Sequence, residues 1–236
     1  MTQAHVTSAC DGVVTIATSP TAPRIALIHA LSHSIIPINE AFERMWPDAT
    51  RMNLLDDSLS ADLARRGALD EAITNRFLDL SDYARGTGAD AILFTCSAFG
   101  PCIERVAMRH HTIPVLKPNE AMVARACALG SRIGLIATFE PTLRSMPAEF
   151  PKEKQLVLEC VPEGLAALNA GDPAAHDMAV LRAAQRLTAQ NCDVIALTQF
   201  SMARAALLLR REVDVDVLTT VESAVTALRK RLIVSH

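Results

Sequence analysis

"ADAILFTCSAFG", residues 89–100, and "CDVIALTQFSMA", residues 192–203, decide the fold. Each begins at an aspartate, Asp90 or Asp193, and runs through a short apolar segment. Each then reaches a threonine and breaks into small and aromatic residues that can open a helix. The same pairing recurs on either side. "RIALIHA" (24–30) resembles "RIGLIAT" (132–138), with Arg24 matched to Arg132. "PVLKPNEAMV" (114–123) resembles "DVLTTVESAV" (216–225), with Glu120 matched to Glu222. Three matches in one order predict a duplication.

Further strands are expected at 50–55 and 155–161, and helix-period stretches at 68–85, 101–109, 119–129, 173–190 and 202–211. Strands that alternate with helices give parallel sheets, and near-continuous apolar strands fit a sheet covered on both faces. The predicted fold class is α/β. Two similar parallel-sheet lobes would be related by pseudo-twofold symmetry, with the active site in the interlobe cleft. Residues 1–22 read as a flexible N-terminal tail, 23–117 plus 219–236 as the first lobe, and 118–218 as the second.

Bulk composition narrows the function. The 236 residues are 50% hydrophobic and 21% charged, with a formal net charge of −3. Such a balance predicts no nucleic-acid partner. No apolar run nears the ~18–20 residues of a membrane span, and the apolar stretch near Asp11 lacks the basic start of a secretory signal. The expected location is therefore cytoplasmic. Cys10, Cys96, Cys102, Cys127, Cys160 and Cys192 form no C-x-x-C pair or zinc spacing. They read as free thiols, and no metal is expected. His29 and His33 stand four apart, but the helix is expected to begin only near Ser32, which spoils that spacing for a metal. His110 and His111 read as a helix end, and Glu120 and Glu222 as helix-start residues.

Ligands in open parallel sheets bind beyond the carboxyl ends of the strands. Cys96 lies at that end in the first half, and Gln199 is its repeat-mate. Facing lobes would bring both to one ligand. Ser97 and the backbone of Ala98 and Phe99 read as the start of a helix with Pro101 in its first turn. Such a helix start is expected to lower the thiol pKa. Thr198, Gln199 and Phe200 form the matching turn, and the donors of both turns are expected to hold an oxyanion. His29 is also weighed as a general acid. Phe99, Phe139 and Phe200 are candidates for shaping a partly apolar ligand.

These features resemble the aspartate/glutamate/hydantoin racemase superfamily, which includes arylmalonate decarboxylase and maleate cis-trans isomerase. The likeness runs from about Arg24 onward and rests on the two-half layout, "FTCSAFG", "IPVLKPNEA" and "RIGLIATFEPT". It implies a cofactor-independent enzyme acting on a small carboxylate between the lobes, often as a homo-oligomer. Racemases of this kind carry a cysteine after the equivalent strand of each half. Cys96 matches the first. At the second, this chain has Thr198-Gln199-Phe200 where Gly-Cys-Thr or Gly-Cys-Ala is usual. An amide exchanges no proton at neutral pH. The resemblance therefore implies Cys96 and Gln199 as the catalytic pair. It further implies His29, Ser32, Ser97, Ala98, Thr138, Thr198 and Phe200 as substrate contacts. The reaction class is isomerisation or proton transfer beside a carboxyl group. Single-thiol decarboxylation, cis-trans isomerisation through a Cys96 nucleophile and non-catalytic acid binding are the alternatives.

Overall fold

The structure is a computed structural model and describes residues 22–234. The tail assigned to 1–22 and Cys10 therefore lie almost wholly outside the described residues. Strands β1 (Arg24–His29), β2 (Thr50–Leu55), β3 (Ala91–Phe94) and β4 (Val115–Leu116) form a parallel sheet in the order β2-β1-β3-β4. Strands β5 (Arg132–Ala137), β6 (Gln155–Cys160), β7 (Val194–Leu197) and β8 (Asp216–Thr219) repeat it as β6-β5-β7-β8. In both, the chain leaves the first strand toward one edge and crosses back to the other side. That reversal opens a crevice beyond β1 and β3, and another beyond β5 and β7.

The matched residues make matched contacts. Asp90 accepts from the Arg24 backbone N–H at 2.7 Å, and Asp193 accepts from that of Arg132 at 2.8 Å. Each aspartate N–H donates back to the same arginine carbonyl at 2.8 Å. These carboxylates thus tie the start of each central strand to its neighbour. At the far end, the Thr95 hydroxyl reaches the Ile28 carbonyl at 3.4 Å, and the Thr198 hydroxyl reaches that of Ile136 at 2.8 Å.

Among the described residues, ten α-helices cover the sheets: α1 (Ile35–Met45), α2 (Ser58–Arg66), α3 (Glu71–Gly86), α4 (Gly100–Arg109), α5 (Glu120–Leu129), α6 (Glu140–Ser145), α7 (Pro162–Asn169), α8 (Pro173–Ala189), α9 (Ala206–Glu212) and α10 (Thr220–Val234). Helices α2, α6 and α7 are additions to the sequence reading. Each is short and buries few apolar side chains, such as Leu59 and Leu63 in α2, so its periodic signal is weak. One face of the first sheet packs Ile25 and Leu27 against Phe42 of α1 and Val225 and Leu228 of α10. The other packs Ala26 and Ile92 against Phe77 of α3 and Ile103 of α4. In the second lobe, α8 and α9 cover one face of the sheet, and α5 and α6 the other.

Candidate active site

The two strand-end turns meet across the lobes. Ser97 Oγ donates to the Thr198 carbonyl at 3.0 Å, so the residue after Cys96 is bonded to the residue before Gln199. Ser97 Oγ also lies 3.5 Å from Thr142 Oγ1, and Ser145 Oγ approaches the Ser97 carbonyl at 3.5 Å. Ser97 makes no cap bond at its own helix start; its hydroxyl crosses the seam instead.

Gln199 is 8% exposed and held by its oxygen. Oε1 accepts from the Thr138 backbone N–H at 2.5 Å and from Thr138 Oγ1 at 3.1 Å. A backbone N–H can only donate, so the amide orientation is fixed. Nε2, with two N–H groups, has no partner among the described residues. The hydroxyls of Ser97, Thr138 and Thr198 all reach protein acceptors. These hydroxyl protons are therefore committed to protein acceptors, while the Gln199 amide keeps its N–H groups.

Cys96 is partly exposed at its turn. It packs beside the apolar cluster that holds Ala30, Leu59, Ala98 and Phe99. This environment disfavours a thiolate, and the thiol is pushed up to about 11. The backbone N–H of Ala98 and the side chain of Ser60, close to the sulfur, oppose that rise only in part. The expected lowering by the helix start is thus overturned, because desolvation outweighs two hydrogen bonds. Ser60 is a site residue the sequence reading missed. It sits on α2 and donates to the Ala30 carbonyl at 2.7 Å. No spacing rule links position 60 to 96; only the return of α2 over the β1 and β3 ends brings them together.

His29 is fully buried. Nδ1 faces Thr95 Oγ1 at 2.8 Å and Nε2 faces Asn53 Oδ1 at 3.0 Å. Burial lowers its pKa to about 4, so the ring is neutral and both nitrogens are engaged. This corrects His29 from general acid and substrate contact to a strut beneath the turn. Ser32 is exposed in a 3-10 turn that precedes α1. His33, in the same turn, bonds Asn169 across the lobes at 2.9 Å. Phe200 leaves the second lobe and packs into the first-lobe core beside Ile25, Leu27 and Phe42. It is a lobe-to-lobe plug, correcting its assignment as a ligand contact. Phe99 is core as well, with its ring 4.9 Å from that of Phe77. Ala98 is buried and contributes its N–H to Cys96.

A cavity of about 450 Å³ opens at the cleft. It is lined by Thr138, Phe139 and Arg144 at the β5 end, Leu165 and Asn169 of α7, and Ala64 of α2. Phe139 is thus the aromatic that faces the cleft. Thr138, the hydrogen-bond partner of Gln199, lines the cavity; Gln199 and Cys96 stand behind that lining. Glu140 lines it too and is paired with Arg144 at 3.1 Å. Among the described residues, no group of three or more His, Cys, Asp or Glu side chains could hold a metal ion.

The Asp/Glu/Hydantoin racemase family model matches residues 36–228, spanning both lobes and both turns. The chain belongs to this family. Members with solved structures share its fold at low sequence identity. A glutamate racemase isoform from Bacillus anthracis is 13% identical with a TM-score of 0.71, covering 91% of this chain and 83% of that one. Allantoin racemase from Klebsiella pneumoniae is 16% identical with a TM-score of 0.64, covering 91% and 89%. A glycine-to-cysteine mutant of arylmalonate decarboxylase, in a sulfate-associated form, is 18% identical with a TM-score of 0.61, covering 88% and 92%. No curated protein matches in sequence. Within this racemase family, the present chain has one thiol and one amide at its paired turns.

Proposed function

We propose that this racemase-family chain is a cofactor-independent enzyme that transfers a proton, through Cys96, at the carbon beside a carboxyl group of a small acid. The observation that carries this reading is the Ser97–Thr198 hydrogen bond, which sets the thiol turn against the amide turn. Gln199 Nε2 would bind the oxygen that gains charge, and Thr138 holds that amide in place. The Cys96 thiolate, scarce but strongly basic, takes the α-proton while the C–H electron pair moves into the carboxyl group. The resulting thiol returns the proton to carbon. Return from the thiol restores the starting enantiomer with a solvent-derived hydrogen, and slower protonation of the opposite face by water gives the mirror-image acid.

The test is incubation with panels of α-amino, α-hydroxy and aryl-substituted acids in deuterated water. The expected result is deuterium at the α-carbon of one enantiomer, appearing faster than inversion and absent in Cys96→Ser. Exchange that survives Cys96→Ser, or no exchange across the panels, would overturn the proposal.

A second reading is favoured by the protonated resting thiol. Decarboxylation of a malonate-type acid breaks the C–CO₂ bond, releases carbon dioxide and leaves a carbanion that needs only a proton donor. Cys96 would supply that proton and recover one from water. Carbon dioxide release with one deuteron gained identifies this reaction.

A further inference from the structure

A second cavity, of about 710 Å³, is lined by residues of both lobes, Ser145 among them. Its first-lobe wall includes Gly100 and Pro101, which open α4 directly after the Cys96 turn. Its second-lobe wall includes Ser145 and Glu149, and α5 supplies the floor with Val123, Ala124 and Cys127.

The charges in this cavity do not balance. Lys117 Nζ is 2.8 Å from Glu104, Arg144 pairs with Glu140 at 3.1 Å, and Glu120 pairs with Arg231 at 2.8 Å. Glu149 makes no ion pair within 4 Å among the described residues. Among the described residues its hydrogen bond comes from Asn119 Nδ2 at 3.3 Å. Lys117, already bonded to Glu104, is the nearby cation that steadies it, while Glu104 and Glu120 repel it. Asn119 is fully buried, and its Oδ1 has no hydrogen-bond partner. Glu149 is thus a partly buried carboxylate on the cavity wall with one amide donor and no counter-charge bonded to it, beside walls of Pro101, Val123 and Ala148. A cationic head group rich in N–H donors, carried on an apolar body, complements that carboxylate and those walls.

We infer that this interlobe cavity binds a small organic ammonium, with its charged head on Glu149 and its hydrocarbon body along α5 and the start of α4. The site is separate from the proposed chemistry at Cys96. Cys127 lines it and serves as the reporter.

The experiment uses n-hexylammonium as the probe, with hexanoate and hexanol as charge controls. Calorimetry gives affinity, and iodoacetamide labelling with peptide mapping gives protection at Cys127. The expected result is binding of hexylammonium at least tenfold tighter than either control, with protection at Cys127. Glu149→Gln should weaken that binding at least tenfold, and Cys96→Ser should leave it unchanged. Hexanoate binding as well as hexylammonium, or full affinity in Glu149→Gln, would refute the inference. Ala124→Trp fills the cavity from an exposed helix position and guards against misfolding of the first variant. Retained binding in that variant also refutes the inference. Because Cys96→Ser keeps this site, its failure and that of the proposed reaction are read apart.

Discussion

Ser97 and Thr198 are joined by a 3.0 Å hydrogen bond that crosses the two lobes. One is adjacent to the thiol and the other to the amide. The bond is buried, so neither partner can turn to water if the lobes shift. The turn bearing Phe200 adds an apolar lock, since its ring sits in the first-lobe core. Polar and apolar contacts together fix where Cys96 stands relative to Gln199.

The protonation state of Cys96 gives the first prediction. With a pKa of about 11, its thiolate fraction near pH 7 is on the order of 10⁻⁴. Iodoacetamide labelling of Cys96 should be slow at neutral pH and rise about tenfold per pH unit to roughly pH 10. Mass-spectrometric labelling rates provide the check. A plateau near pH 8 would show that the thiol is not desolvated in this way.

Ser60 supports the thiolate that the apolar surroundings oppose. Ser60→Ala should raise the Cys96 pKa further and slow its labelling at pH 9 by about threefold to tenfold. Loss of the bond to the Ala30 carbonyl should cost about 1 kcal/mol in urea unfolding. Ser60→Thr keeps the hydroxyl and should restore most of the labelling rate. Equal rates in all three proteins would remove Ser60 from the site.

His29 sets a stability limit on the acid side. Its folded pKa of about 4 lies below the ordinary 6.5, so the unfolded chain binds more protons between those values. Stability should therefore be full above pH 6.5 and fall as the pH drops toward 4, by about 3 kcal/mol in all. Below pH 4 this contribution levels off. In His29→Gln the decline between pH 6.5 and 4, followed by chemical denaturation, should be shallower by that amount.

Gly164 of α7 leaves no room for a side chain. A Cβ there would stand 2.9 Å from Thr138 Cγ2 and 3.4 Å from His176 Cδ2. Thr138 is branched and pinned to Gln199, so it cannot rotate away freely. Gly164→Ala should destabilise the fold by about 1–3 kcal/mol and reduce exchange activity with it. A thermal unfolding midpoint equal to wild type would show that α7 absorbs the methyl.

Much of the molecule was legible because it is written twice. The pairs Asp90 with Asp193, Arg24 with Arg132 and Thr95 with Thr198 recur in sequence because each makes the same strand-tying contact in its own lobe. Parallel strands buried on both faces leave an apolar signature that needs no partner to be recognised. The place of Cys96 and Gln199 at strand ends followed from that signature alone.

Tertiary structure decided the rest. The thiol pKa depends on how closely α2 and the Ala30 turn exclude water, and no local pattern encodes that exclusion. The direction of the Ser97 hydroxyl, the burial of His29 and the insertion of Phe200 into the opposite lobe are likewise relations between distant segments. Local sequence determined where the strands end and which residues stand there. Packing determined which of those residues keep a free donor: Ser97 gives its hydroxyl proton to the opposite lobe, whereas Thr138 and Thr198 give theirs to acceptors of their own lobe.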